Sequence, residues 1–143
     1  MRLIRTEIQI TAPAARVWSI LTDFKSYPSW NSFIQEIAGK AEVGALLTVK
    51  IVPPGHKPMT FKPRVLAAAP NRELRWLGRI MLPGLFDGEH SFELSDNSQS
   101  CLFRQSEEFS GILVPLMGAK MFEATRQGFM AMNDALRKRA QGA

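Results

Sequence analysis

The chain reads as an α+β protein: a curved antiparallel sheet of about seven strands, two short helices after strand one, and a long C-terminal helix lying across the sheet. Three observations predict this. Residues 3–10 alternate in the period-two manner of a half-buried strand. Residues 34–110 hold six short runs broken by turn residues, with no room for the crossover helices that parallel strands require. After Gly111 the apolar residues change to steps of three and four, the spacing of one helix face.

In the first strand Ile4, Thr6, Ile8 and Ile10 share one face, and Leu3, Arg5, Glu7 and Gln9 share the other. Thr11-Ala12-Pro13 is a helix start, with Thr11 or Ala12 near the cap and Pro13 in the first turn, where its missing N–H is not needed. The helix that follows carries Val17, Trp18, Leu21 and Phe24 and ends near Asp23. Pro28 disfavours helical geometry at Tyr27, so Tyr27-Pro28-Ser29-Trp30-Asn31 holds only a short second helix or turn. Strands are expected over 34–38, 46–52, 60–68, 73–82, 89–94 and 100–109, forming one continuous meander. A last helix of about 25 residues turns Val114, Met117, Met121, Thr125, Gly128, Met132 and Leu136 toward the sheet, flanked by Phe122 and Phe129.

A chain of 143 residues fits a single domain, 1–143, and its 22% charged and 45% apolar residues suit an ordered core. No apolar run approaches a membrane span and the N-terminus has no signal-peptide core, so a cytoplasmic protein without integral membrane association is expected. Cys101 alone forms no internal disulfide, and with His56 and His90 it is too small a set for a metal cluster. No metal and no cofactor are therefore expected. The net charge of +5 is scattered. Its densest group, Arg137-Lys138-Arg139, complements the negative end of the helix dipole, and a nucleic-acid partner is not indicated. No G-x-S-x-G elbow, phosphate loop or metal-ligand spacing occurs. The oligomeric state is open.

One constellation carries chemistry. A hairpin around Asp96-Asn97-Ser98-Gln99 that pairs Ser95 with Ser100 sets Leu94 opposite Cys101, Phe92 opposite Phe103 and His90 opposite Gln105. Phe92 and Phe103 mark the apolar face, so His90, Gln105 and Glu107 share it. A histidine, an amide and a carboxylate on such a face must bond one another, water or a ligand. Two other readings stay open: His90 and Glu107 close into a satisfied internal pair, or a one-residue slip sends them to solvent.

Several motifs carry a family resemblance: Ala12-Pro13-Ala14-Ala15-Arg16-Val17-Trp18, Leu21-Thr22-Asp23-Phe24, Tyr27-Pro28-Ser29-Trp30-Asn31, Gly44, Phe86-Asp87-Gly88-Glu89-His90 and Glu108-Phe109-Ser110-Gly111. With them the whole chain resembles the START-like, or SRPBCC, superfamily of helix-grip proteins. That superfamily includes lipid-transfer START domains, birch-pollen-allergen-like proteins and polyketide cyclases. Trp18, Leu21 and Phe24 are expected to pin the helix pair to the sheet, and Trp30-Asn31 to set the angle of the second strand.

The resemblance implies a cavity between sheet and last helix, taking a hydrophobic small molecule such as a lipid, isoprenoid, aromatic or polyketide-like compound. The ligand-binding residues expected are His90, Gln105, Glu107, Phe92, Phe103, Trp76, Met117, Met121 and Met132. Thioethers suit an adaptable wall, although Met121 and Met132 would serve equally as core filler. Two other functions remain: a polyketide cyclase or dehydratase-like enzyme in which His90 and Glu107 move protons, and a protein-interaction module of the chaperone-activator type. Against the latter, the last helix lacks a second apolar stripe. Ligand access is expected between segments 82–88 and 111–115, with Leu85, Phe86, Ile112 and Leu113 at the entrance. The competing reading is that these four residues seal one end of the core.

Overall fold

The alternation of the N-terminal segment becomes strand β1 (Arg2–Ile10), followed by helix α1 (Ala14–Thr22) and a 3₁₀ helix at Phe24–Ser29. The computed structural model describes residues 1–80 and 82–142. Strands β2 (Ile34–Ala38), β3 (Thr48–Ile51), β4 (Met59–Phe61), β5 (Arg64–Ala69), β6 (Glu73–Ile80), β7 (Phe86–Asn97) and β8 (Ser100–Ser110) come next. A 3₁₀ turn at Val114–Leu116 then leads into helix α2 (Ala119–Gln141). The α+β helix-grip architecture is thus as expected.

The differences have local causes. In place of one continuous sheet there are two, a five-stranded sheet in the order β1-β8-β7-β6-β5 and a three-stranded sheet in the order β2-β3-β4. The strand expected over 60–68 is broken at Lys62-Pro63, because proline supplies no N–H to a ladder. Its first half pairs with β3 and its second with β6, so one kinked strand passes between the sheets. The bridge Leu46–Arg64 and the bond from the Leu47 N–H to the Pro63 carbonyl, 2.8 Å, hold that corner. The strand expected over 73–82 ends at Ile80, and Met81 lies outside the described residues. The C-terminal helix begins at Ala119, since Pro115 and Gly118 interrupt the turn before it; Val114 and Met117 therefore lie outside α2. Pro13 is itself the cap of α1, one residue earlier in the helix than expected.

The β7–β8 hairpin is tighter than expected. Asn97 pairs with Ser100 around a two-residue turn, with Ser98 at φ 61°, the left-handed conformation that primed hairpin turns require. Leu94 consequently faces Phe103, Phe92 faces Gln105 and His90 faces Glu107. This corrects the expected pairing by two residues. An even slip preserves which side chains share a face.

Several polar contacts position the helices. Asn31 Oδ1 accepts the N–H groups of Phe33 and Ile34 at 3.0 and 2.9 Å, which fixes how β2 leaves the 3₁₀ helix. The fully buried Tyr27 hydroxyl donates to the Leu21 carbonyl; burial, with the Asp23 charge adding to it, pushes its pKa far above the ordinary tyrosine value and keeps it a donor. Arg16 donates to the carbonyls of Ala140, Arg139 and Gly142 at 2.6, 3.3 and 3.2 Å, satisfying the otherwise unpaired end of α2 and tying it to α1.

Helix α2 buries Thr125, Gly128, Phe129, Met132, Asn133, Leu136 and Ala140 against the concave face. Gly128 is there because Phe33 is: a Cβ at this position would collide with the buried Phe33 ring, which also packs edge-on to Phe129 at 5.5 Å. In a mid-helix position, Gly→Ala ordinarily gains about 1 kcal/mol of helix propensity. Overpacking a well-filled site costs roughly 1–3 kcal/mol. Gly128→Ala is accordingly expected to destabilise the protein by about 1 kcal/mol net in urea unfolding. A stabilised variant would mean that Phe33 moves aside freely.

Candidate functional site

On the concave face the five-stranded sheet is organised in cross-strand rows. One row runs Trp76, His90, Glu107, Ile4, and the next runs Leu74, Phe92, Gln105, Thr6. The row on the other side of His90 contains Gly78, Gly88 and Phe109. Two facing glycines leave their stretch of that row without side chains, and a cavity of about 390 Å³ opens beside them. Its far wall is built by the three-stranded sheet and its flanks, through Phe33, Ile34, Val49, Ile51, Met59, Phe61 and Pro63. The roof is the N-terminal part of α2 and the turn before it, with Leu113, Leu116, Met117, Met121 and Thr125.

The expected site residues divide between this cavity and the core behind it. His90, Glu107, Trp76, Met117 and Met121 line the cavity, as do Phe86 and Leu113 from the expected entrance. Gln105, Phe92, Phe103 and Met132 do not. They are fully buried in the packed half of the interior, where Phe92 and Phe103 stack at 5.9 Å and the C-terminal half of α2 closes down. Ile112 is 74% exposed and Leu85 is half-buried; neither forms part of the wall.

The polar groups form one connected chain. His90, buried among the rings of Trp76, Phe92 and Phe129 at centroid distances of 5.2, 4.6 and 4.9 Å, sets Nδ1 2.6 Å from Glu107 Oε1 and Nε2 2.9 Å from Gln105 Oε1. Gln105 Nε2 donates to Asn133 Oδ1 at 2.8 Å and to the Phe129 carbonyl at 3.4 Å. Asn133 Nδ2 donates to Thr6 Oγ1 at 2.8 Å, and that hydroxyl donates to the Gln105 carbonyl at 3.0 Å. Gln105 therefore supports the histidine from behind. Glu107 reaches furthest toward the cavity, and Gly88 makes room for it, since a Cβ there would collide with Glu107 Oε2.

The walls missed in the sequence were β2, β3 and β4, the turn residue Leu116, and Phe109, Thr125, Gly78 and Gly88. Glycines within otherwise regular strands were a usable signal, because a strand gains nothing from them unless something must approach closely. The exposed edge of the cavity is at Leu116, which is a wall residue and yet 78% exposed. Beside it, segments 82–88 and 111–115 are zipped together: Ile112 N–H donates to the Gly84 carbonyl at 3.1 Å and Leu113 N–H to the Leu85 carbonyl at 2.9 Å. Among the described residues, no helix is long and apolar enough to cross a membrane.

The arrangement of sheet and helices has known counterparts. The Zhui aromatase/cyclase from Streptomyces sp. R1128 is similar with a TM-score of 0.78 at 17% identity, covering 98% of this chain and 93% of that one. A START superfamily protein from Mycobacterium smegmatis gives a TM-score of 0.76 at 19% identity, covering 97% of both chains. Norcoclaurine synthase from Thalictrum flavum, in complex with dopamine and hydroxybenzaldehyde, gives 0.69 at 20% identity over 96% of this chain and 85% of that one. At such identities the likeness is one of fold. No curated protein matches the chain. The family described as polyketide cyclase / dehydrase and lipid transport matches residues 1–141, and the chain belongs to that family.

Proposed function

We propose that the protein, acting as a single ligand-binding domain, holds one hydrophobic small molecule of the lipid, isoprenoid, aromatic or polyketide-like kind in the cavity between its sheets and α2. The observation that carries this reading is the cavity itself. It offers about 390 Å³ walled by aromatic and aliphatic side chains, with His90 and Glu107 on one wall. A pocket of this size with a few convergent polar groups is the usual form of a small-molecule site, in which apolar area supplies affinity and the polar groups set orientation. Trp76, Met117 and Met121 belong to the apolar wall, while Gln105, Phe92, Phe103 and Met132 support it from the core.

The reading is tested by titrating purified protein with an apolar fluorescent probe, with one site per chain expected. Gly78→Val makes the test specific. A Cβ at Gly78 meets only ordinary contacts, 3.7 Å from Pro63 Cβ and 3.9 Å from the Gly88 carbonyl, so a side chain can start there without clashing with the backbone, and the methyl groups of valine take up cavity space. The variant is expected to weaken probe binding at least tenfold while its melting temperature holds or rises, because valine suits a strand better than glycine does. Unchanged affinity would move binding elsewhere.

A second reading is favoured by the 2.6 Å contact between His90 and Glu107, a carboxylate–imidazole pair on the wall of a largely apolar cavity. Such a pair can take a proton from a bound substrate and return it, as cyclisation or dehydration requires. Incubation with a methyl-ketone aromatic in D₂O is then expected to wash deuterium into the acidic C–H position by NMR, and Glu107→Gln to abolish the exchange. Equal exchange in both proteins would leave binding alone.

Ligand access is assigned to the zipped flap formed by segments 82–88 and 111–115, which carries Leu85, Phe86, Ile112 and Leu113. Because two backbone bonds join the segments, they would open as one unit toward Leu116 and not part from each other. Hydrogen exchange is expected to show both segments opening together and slowing when the probe is bound. Protection equal to that of central β7 and β8, indifferent to the probe, would reduce the flap to a seal.

A further inference from the structure

The hydrogen-bond chain behind the cavity determines what kind of polar group the cavity can take. A backbone carbonyl only accepts, so the Thr6 hydroxyl, 3.0 Å from the Gln105 carbonyl, must donate to it and offer its lone pairs to Asn133. Asn133 therefore turns its NH₂ toward Thr6 and its oxygen toward Gln105. Gln105 in turn presents its NH₂ to Asn133 and to the carbonyl of Phe129, and its oxygen to His90. Reversing the amides would set Gln105 Oε1 against the Phe129 carbonyl, two acceptors face to face, and would strip the Gln105 carbonyl of its Thr6 donor. The direction of the whole chain is thus set by two carbonyls.

His90 Nε2 must then carry a hydrogen, since Gln105 Oε1 cannot donate. At 2.6 Å, His90 Nδ1 and Glu107 Oε1 must also have a proton between them, because two bare lone pairs would repel at that distance. Whether that proton sits on the imidazole, giving an imidazolium–carboxylate pair, or on Glu107 Oε1, giving a neutral acid, the other oxygen is left in the same condition. Oε2 carries lone pairs only. No protein donor reaches it among the described residues, and Gly88 opposite supplies space in place of a side chain. His90 itself has both ring nitrogens occupied and presents no free donor to the cavity.

Resting on the binding function proposed above, we infer that the cavity selects apolar ligands bearing a hydroxyl, phenolic or alcoholic, whose O–H donates to Glu107 Oε2. It disfavours their ether, carbonyl and carboxylate analogues. A site built around a buried acceptor rejects a ligand without the matching donor, because both partners then lose their hydrogen bonds. A carbonyl or carboxylate ligand would set oxygen against oxygen.

The test is a calorimetric titration of the intact protein with 2-naphthol, 2-methoxynaphthalene, 2-naphthaldehyde and 2-naphthoate. These share one ring system and differ in the polar group. The naphthol is expected to bind about tenfold or more tightly than each of the other three. In Glu107→Met, checked for an unchanged melting curve, the naphthol and the methyl ether are expected to bind within about threefold of each other. If the ether or the aldehyde matches the naphthol in the unsubstituted protein, the hydroxyl selection is wrong while the binding reading stands. Tighter binding of the naphthoate would mean the dyad presents positive charge, which also overturns the inference. If none of the four binds, the binding reading itself fails. The comparison within the unsubstituted protein decides the matter even where the variant does not fold.

Discussion

A buried amide must be satisfied at both ends, and Gln105 sits where that requirement reaches every layer of the protein. Its side chain joins the sheet, through His90, to α2, through Asn133, and Asn133 closes the circuit on β1 through Thr6. The contacts of Gln105, Asn133 and Thr6 that hold α2 over the concave face also fix which nitrogen of His90 bears hydrogen. Framework and site are one hydrogen-bonded object at this point. Partly satisfied buried networks are costly, so each member constrains the others.

Around that object the interior divides in two. Toward the C-terminal half of α2, Phe92, Phe103, Phe129, Met132 and Leu136 fill the space completely. Toward its N-terminal half, the Gly78–Gly88 pair contributes no bulk and the kink at Pro63 swings the three-stranded sheet out to form an opposing wall. The cavity is thus an absence of side chains at defined positions, bounded by a packed core on one side. Arg2 helps to hold the roof in place: its guanidinium lies 4.0 Å from the centre of the Phe122 ring and donates to the Met117 carbonyl.

Periodicity made the architecture legible, because a half-buried strand and an amphipathic helix each write their exposure into spacing. Strand parity was legible for the same reason: a two-residue error in the hairpin turn still left His90, Gln105 and Glu107 on the concave face. What spacing does not encode is depth along a row. Phe92 and His90 point the same way, yet one is core and the other cavity wall, since the difference lies in what α2 and the second sheet bring opposite them. The division of the sheet was hidden for a related reason, as Pro63 marks a break but not which strand each half will pair with. Arg16, within a motif that carried the family resemblance, acts on carbonyls more than a hundred residues away, and local pattern holds no trace of such a contact.

The framework contacts have a consequence for how function relates to fold here. Asn31, Tyr27 and Arg16 position β2, the 3₁₀ helix and the end of α2, and none of them lines the cavity. Substitutions at Met59, Phe61, Leu116 or Met121 alter cavity shape without touching those contacts, so the architecture can persist while the pocket changes. A likeness at 17% to 20% identity to an aromatase/cyclase and to norcoclaurine synthase is what such a separation permits. The dyad is different, because His90 belongs to both sets. A change there disturbs the Gln105 circuit as well as the wall, whereas a change at Glu107, whose carboxyl group hydrogen-bonds only to His90 among the described residues, reaches the framework through that single side-chain bond. Glu107 is therefore the position at which the chemistry of the cavity can be altered with the least cost to the fold.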